Sequence, residues 1–340
     1  MRVARYYSRH DIRTEQMEIP PIEAGEMLVQ VKACGLCGSD LMEWYADSKA
    51  PAVLGHEPAG FVSRLGSGVS EFTPGDRVFV HHHVPCFVCH YCRRGNYSCC
   101  ETFKRNGIDP GGFAEYIRVS RLNVERDVLQ LPESISFEEA TLIEPLACAI
   151  RGIKRAGVRP GDTVLIMGMG VSGLLLAQLC RLWGARLTVA SDPVRYRLDK
   201  ALQLGADIGV DPAKEDLGAM LNTLTEGTGA DVVVVAVGSA QVMREGLELV
   251  SKGGTVLIYA PLPPGDALDV DVCDLLFSEK TLVSTYSCGP DDTRLALNLI
   301  ADGRVVLDGL VTHRFGLDEV DEALQLAAHA GESLKVVIVP

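Results

Sequence analysis

The sequence contains no run of about 18 apolar residues that could cross a bilayer. It has no compositionally biased tract and no fixed-period repeat, so neither a low-complexity segment nor a solenoid is expected. An excess of positive charge is also missing. Forty-five acidic against 32 basic residues give a net charge of −13, which repels nucleic acid phosphates and anionic membranes, so small-molecule partners are expected instead. The N-terminus, MRVARYYSRHD, lacks the apolar stretch and small-residue cleavage site of an exported precursor. Reducing cytoplasm is therefore the expected location.

Cysteine is sparse except in one place. VPCFVCHYCRRGNYSCC, residues 84–100, holds five cysteines, while six are spread over the rest of the 340 residues. A chain of this length does not need disulfides to hold a core together, and clustered cysteines in a reducing compartment point to metal. Cys86, Cys89, Cys92 and Cys100 have the spacing CxxCxxCx7C, with Gly95 where the backbone must turn. Four thiolates fit tetrahedral zinc at about 2.3 Å and leave no open position, which makes this a structural site. Cys99 is the alternative to Cys100. His81, His82, His83 and His90 flank the cluster and are expected to be solvated or to support the ligands from behind.

At 47% hydrophobic and 23% charged the composition is that of a globular protein, and the length suggests two domains. Up to about residue 145, short apolar runs such as MLVQVKA, GFVSRLG, DRVFV and FAEYIRVS alternate with glycine, proline and charge, predicting a β-rich, barrel-like domain. From Gly161 the texture changes. TVLIMG, the helical GLLLAQLCRLWG, LTVASD, RYRLDKALQLG, IGV, DVVVVAV, REGLELVSKGG, TVLIYA, the helical DLLFSEK and TLVSTY predict strand–helix alternation. Such apolar strands belong to a parallel sheet covered on both faces. The tail from Ser287 predicts two helices around LVTHRF and a closing strand, LKVVIVP, that returns to the first domain.

A second ligand set is open. ACGLCGSDL presents Cys37, and VLGHEPAG presents His56 and Glu57; thiolate, imidazole and carboxylate together hold zinc with a position left for substrate. Glu144 in IEPLACA is a fourth candidate, with a carboxylate in the first turn of a helix as the plainer explanation. GHEPAGFVSRLGSGV, CGSD and the CxxCxxCx7C lobe together resemble the zinc-dependent medium-chain alcohol dehydrogenases over the whole chain. Glu57 beside His56 and EPL at residues 144–146 are similar to the sorbitol and threonine, or polyol, branch. The resemblance implies a GroES-like β-rich catalytic domain, residues 1–148 and 287–340, and a doubly wound parallel-sheet Rossmann domain for NAD, residues 149–286. It implies that Cys37, His56 and Glu57 ligate a catalytic zinc, with Glu144 bound directly or through water. Ser39 would hydrogen-bond the substrate hydroxyl, and Asp40 would orient His56. It also implies a homo-oligomer, a dimer or tetramer.

MGMGVSG supplies Gly168, Gly170 and Gly173 as GxGxxG, with Val171 opening the helix, directly after TVLIM. Asp192 ends the next strand, where a carboxylate accepts from ribose hydroxyls and repels a 2′-phosphate. This favours NAD over NADP, with Arg197 nearby as the counter-indication. The resemblance adds Val237, Ala260 and Thr285 near the nicotinamide and Lys335 near the pyrophosphate. Two zinc ions per chain are expected, and hydride transfer between a secondary alcohol (a polyol, cyclitol or hydroxy amino acid) and the nicotinamide. Thr285 and Tyr286 stand where sorbitol dehydrogenases carry an arginine–tyrosine pair, which weakens a linear-polyol assignment. Met42 stands where the branch usually has a relay histidine, and a thioether cannot carry a proton. The alternatives are a simple alcohol or aldehyde reductase of the same superfamily and a non-enzymatic zinc-lobe interaction protein, which the acidic balance disfavours.

Overall fold

The computed structural model describes residues 1–329 and 331–340. The chain divides into two compact units. The first comprises Met1–Ala147, Cys288–Gly303 and Leu307–Pro340, and the second Cys148–Ser287 with Arg304–Val306. Among the described residues no helix is long and apolar enough to cross a membrane.

The first unit is built on a mixed sheet whose main path runs Val311–Phe315, Lys335–Ile338, Met27–Gly35, Glu57–Leu65, Arg77–Val80 and Val128–Gln130. Tyr116–Val119 pairs with Met27–Gly35 off this path. The apolar runs of the sequence supply these strands because they alternate β-branched and aromatic residues over lengths of four to nine residues. Val29, Val31, Val62, Val78, Val80, Ile117 and Phe113 fill the core, together with Val336 and Ile338 of the last strand. That strand pairs antiparallel with the third, Val337 opposite Gly35 and Ile338 opposite Cys34.

The second unit carries six parallel strands. In space they run Ile208–Val210, Leu187–Ser191, Thr163–Met167, Ala230–Val235, Val250–Ile258 and Thr281–Ser284. In chain order that is 3-2-1-4-5-6, the doubly wound arrangement, whose order reverses between Thr163–Met167 and Ala230–Val235. Thr163–Met167 is buried at every position, as a strand covered on both faces must be.

One boundary differs from the sequence reading. The strand after REGLELVSKGG is read from TVLIYA, yet the helix stops at Leu249 and Val250 already pairs with Ala230. Gly253 at φ +75° turns the chain and donates to Ser278 O at 2.8 Å, which produces the register irregularity before Thr255. Glycine's freedom at positive φ allows the strand to begin five residues early.

Candidate active site and zinc lobe

Residues 84–100 fold into a separate small lobe. The sulfurs of Cys86, Cys89, Cys92 and Cys100 lie within 4.8 Å of one another. Cys89 Sγ and Cys92 Sγ are 3.4 Å apart, and Cys86 Sγ and Cys92 Sγ 3.9 Å. The edge of a tetrahedral zinc–thiolate site is about 3.8 Å from its bond length, so the cage fits that ion. Gly95, at φ +73°, reverses the chain between the turns Cys92–Arg94 and Tyr97–Cys99. Cys99 is exposed and outside the set. Burial raises the Cys100 thiol, but backbone N–H groups, Cys86 first, outweigh it and bring it down to about 6.

The second set is assembled by strand pairing. Gly35 lies opposite Glu57 in the antiparallel register of Met27–Gly35 with Glu57–Leu65. Cys37, just past the end of one strand, therefore meets His56, just before the start of the other. Their ligand atoms and a carboxylate oxygen of Glu57 lie within 4.8 Å of one another. Ser39 and Asp40 sit in the short helical turn Gly38–Leu41. Asp40 is buried, accepts the Cys37 N–H at 2.9 Å through Oδ2, and approaches His56 Nδ1 at 3.7 Å through Oδ1. Burial disfavours charge on His56, yet the negative groups Asp40 and Cys37 push its pKa well up, so the pocket favours a cation there.

Glu57 is fully buried. Its Oε2 is ion-paired with Lys335, while Oε1 is buried with no hydrogen-bond partner among the described residues. An orphaned carboxylate oxygen beside a thiol and an imidazole suits a metal ligand. Lys335 is the partner of Glu57. The resemblance implies a place for it near the pyrophosphate, and in this structure the strand pairing carries it into the core, 1% exposed, where Nζ donates to Glu57 and to Leu36 O at 3.1 Å. Gly35 has to be glycine here. A Cβ would meet the Glu57 carboxylate and lie 2.5 Å from Lys335 Cε.

Glu144 occupies the first turn of the helix Ile143–Ala156 and is 5% exposed. Its carboxylate groups with His81 and His82 and is not in the three-residue set around Cys37 and His56. His81 was expected to be solvated or to support ligands, but it is completely buried against Asp127, a contact no local spacing foreshadows.

In the second unit the glycine motif follows Thr163–Met167. Gly168 has φ +100°, and a Cβ on it would lie 2.6 Å from Val237 Cγ1; a Cβ on Gly173 would strike Gly168 O. A Cβ on Gly170 would meet nothing within 4 Å, which leaves open space before the helix Val171–Leu182. No side chain caps that N-terminus, so its N–H groups can take an anion. Asp192 follows Leu187–Ser191, is 4% exposed, and accepts from Met169 N and Val194 N, each at 2.8 Å. Arg197 lies in the next helix, Arg195–Leu204. Val237, Ala260 and Thr285 follow the strands ending at Val235, Ile258 and Ser284, so the predicted cofactor residues of this unit, Arg197 aside, gather at the carboxyl ends of the parallel strands. Thr285 Oγ1 is buried there without a hydrogen-bond partner among the described residues. Open α/β sheets bind their ligands at this edge.

Residues 23–133 match the alcohol dehydrogenase GroES-like domain, and residues 172–302 match the zinc-binding dehydrogenase domain. The chain belongs to the zinc-binding medium-chain dehydrogenases. Sorbitol dehydrogenase of Bacillus subtilis is 30% identical over 100% of this chain and 97% of its own length. L-threonine 3-dehydrogenase of Pyrococcus horikoshii is 34% identical over 95% of this chain and 93% of its own. A zinc-binding dehydrogenase from Sinorhizobium meliloti, solved with NADP, superposes with a TM-score of 0.90 at 31% identity, covering 100% of this chain and 99% of that one. As a medium-chain dehydrogenase this protein is a zinc-dependent oxidoreductase of alcohols that uses a nicotinamide cofactor.

Proposed function

We propose that this dehydrogenase oxidises a secondary alcohol flanked by a second polar group, a polyol, cyclitol or hydroxy amino acid, with NAD as acceptor. The observation that carries the reading is the meeting of Cys37, His56 and Glu57, with Asp40 fixing the first two and one Glu57 oxygen unsatisfied. These residues would hold the catalytic zinc, and the four-cysteine lobe a structural one. Bound there, zinc supplies a Lewis acid that lowers the pKa of the substrate hydroxyl, and the nicotinamide supplies the hydride acceptor.

The protein's own part is positional. Ser39, partly exposed beside Cys37, would accept the hydrogen bond of the substrate hydroxyl at Oγ and pass its own proton on to the nicotinamide ribose as the substrate proton arrives. Asp40 keeps His56 in one orientation, and Lys335 opposes the protonation that burial favours on Glu57. The N-terminus of Val171–Leu182 receives the pyrophosphate, and Asp192 receives the ribose hydroxyls and repels a 2′-phosphate. Roles for Val171, Arg197, Val237, Ala260 and Thr285 around the cofactor rest on their position at the strand ends.

The relatives' names span sorbitol and threonine, and Thr285–Tyr286 in place of an arginine–tyrosine pair argues for a substrate other than a linear polyol. A homodimer, alone or within a tetramer, is supported by the edge strand Thr281–Ser284, which among the described residues pairs only with Val250–Ile258. Beside it Val272, Leu276 and Phe277 are 70%, 68% and 81% exposed. The test is an NAD- and NADP-reduction screen over polyols, cyclitols, hydroxy amino acids and simple alcohols, with and without a zinc chelator. Turnover on simple primary alcohols alone, or turnover insensitive to zinc removal, overturns the assignment.

A further inference from the structure

Three histidines follow the strand Arg77–Val80, and the outer two are paired. His81 Nδ1 lies 2.6 Å from Asp127 Oδ2, and His83 Nδ1 donates to Asn106 O at 2.9 Å. His82 stands between them with Nδ1 buried and without a hydrogen-bond partner among the described residues. Its backbone is not free to swing toward one. Asn123, completely buried, donates through Nδ2 to His81 O at 2.6 Å and to His82 O at 3.3 Å, and His81 N donates to Asp127 O at 3.2 Å. A buried polar atom left open in a segment fixed this firmly calls for an explanation.

The two ring nitrogens of His82 differ in surroundings. Nδ1 is shielded from solvent, whereas the residue as a whole is partly exposed, which leaves Nε2 on the accessible side. A buried N–H without an acceptor is rarer than a buried acceptor without a donor, so the ring proton sits on Nε2. His82 therefore offers one outward donor. It does so beside the zinc set, because its ring centroid lies 4.8 Å from that of His56 and a ring nitrogen lies within 4.8 Å of a Glu144 carboxylate oxygen. The His83 ring, 4.0 Å away between centroids, packs against the His82 ring and helps hold it there.

We infer that His82 is a specificity-determining residue whose Nε2–H donates to a hydroxyl on the carbon next to the reacting one, so that the substrate is a vicinal diol of the polyol or cyclitol kind. The inference rests on the Cys37–His56–Glu57 reading and narrows it. An N–H donor needs an acceptor, which an ammonium group is not, so a hydroxy amino acid with nitrogen on the neighbouring carbon is the wrong partner. A carboxylate at that place would meet Asp40, Glu57 and Glu144, all buried, and like charges repel. A hydroxyl has neither fault. A substrate without it leaves the imidazole donor unpaired, which is how a polar site rejects an apolar analogue.

The test compares kcat/KM for the vicinal butanediols with sec-butanol, and for the trans vicinal diol of cyclohexane with cyclohexanol, in the zinc-loaded full-length protein. Wild type is expected to favour the diol, and His82→Phe to lower the diol-to-alcohol ratio by about tenfold, the effect of one lost hydrogen bond. His82→Gln, which keeps an N–H donor, should restore part of the ratio. An unchanged ratio in a folded His82→Phe protein overturns this inference and leaves the catalytic-site reading standing. So does a parallel fall of both activities with loss of zinc, which makes His82 a support for His56 alone. A wild type without preference for either diol, or one that favours L-threonine over both, overturns the vicinal-diol class. Turnover of a diol without zinc removes the underlying reading and this inference with it, and zinc analysis tells that failure from the others.

A readout apart from turnover is the nitrogen NMR spectrum of protein carrying isotope-labelled histidine. In zinc-loaded protein held with the reduced nicotinamide cofactor, oxidation cannot proceed. Adding the diol should then move the Nε2 signal that His82→Gln removes, and the matching mono-alcohol should move it less. A signal that both alcohols shift alike, or that neither shifts, overturns the hydrogen bond.

Discussion

Replacing Lys335 by Met tests the buried Glu57–Lys335 pair most directly. Methionine fills much of the lysine stem's volume, so the change removes charge more than packing. Both side chains are 1% exposed, and Lys335 also donates to Leu36 O. Breaking a buried pair by removing one partner costs about 3–5 kcal/mol, because the other charge stays in low dielectric. In a unit of about 200 residues each kcal/mol moves Tm by about 2–4 °C, so a loss of about 6–20 °C is expected in chelator-treated protein. Trp44 lies in the first unit and Trp183 in the second, so fluorescence in a Trp183→Phe background reads the first unit alone.

The pH dependence carries a sign. Burial already holds Glu57 above the ordinary carboxylate range, with Lys335 opposing it. Without Lys335 the folded state raises that pKa further and binds a proton that the unfolded state has released above about pH 4.3. The folded variant thus binds more protons than the unfolded chain, and its stability falls as pH rises, by up to about 1.4 kcal/mol per pH unit. The deficit against wild type should be small near pH 5, grow toward pH 8, and shrink when zinc is added. A Tm within about 2 °C of wild type at pH 8 without metal, or a deficit that shrinks with rising pH, refutes the pairing argument.

Three further outcomes are expected. Asp192→Ser should shift the NAD-to-NADP ratio of kcat/KM by more than about tenfold, since each charge-assisted hydrogen bond is worth about 1.5–3 kcal/mol; a wild type that prefers NADP contradicts the cofactor assignment. Cys89→Ser should lose one zinc and become prone to unfolding or misassembly, because three thiolates leave the shell incomplete; a normal Tm with full zinc content means the lobe is misread. Met42→His should add a titrating group near pH 6.5 to the rising limb of kcat, provided a solvent isotope effect shows that proton release limits turnover. An unchanged profile under that condition removes position 42 from the exit path.

What the sequence revealed, and what it hid, follows the distance over which each feature is encoded. The four-cysteine lobe and the glycine loop are written in runs of under twenty residues, where spacing and backbone requirement can be read directly. The six parallel strands were equally legible as apolar runs, except where a glycine at position 253 let Val250 enter the sheet early. The contact of Lys335 with Glu57 could not be read locally, because its neighbours are fixed by pairing between Val337 and Gly35, across about three hundred residues, which no local pattern records. The His81 group was hidden for the same reason. Its triple histidine was visible, but Asp127 and Cys288 lie 46 and 207 residues along the chain.

The strand Lys335–Ile338 also bears on how the protein is made. It sits inside the first unit's sheet, between Val311–Phe315 and Met27–Gly35, yet it leaves the ribosome after every strand it touches. Until then the nascent chain carries Glu57 without its ammonium partner and the edge of Met27–Gly35 without a neighbour. The first unit therefore cannot mature co-translationally ahead of the second. A nascent chain stalled after the nucleotide-binding strands would present a finished Rossmann sheet beside an unfinished metal pocket. Metal loaded before that strand emerges would meet a Glu57 whose geometry is not yet set, so occupation of the proposed Cys37–His56–Glu57 site is expected only once Lys335–Ile338 has paired.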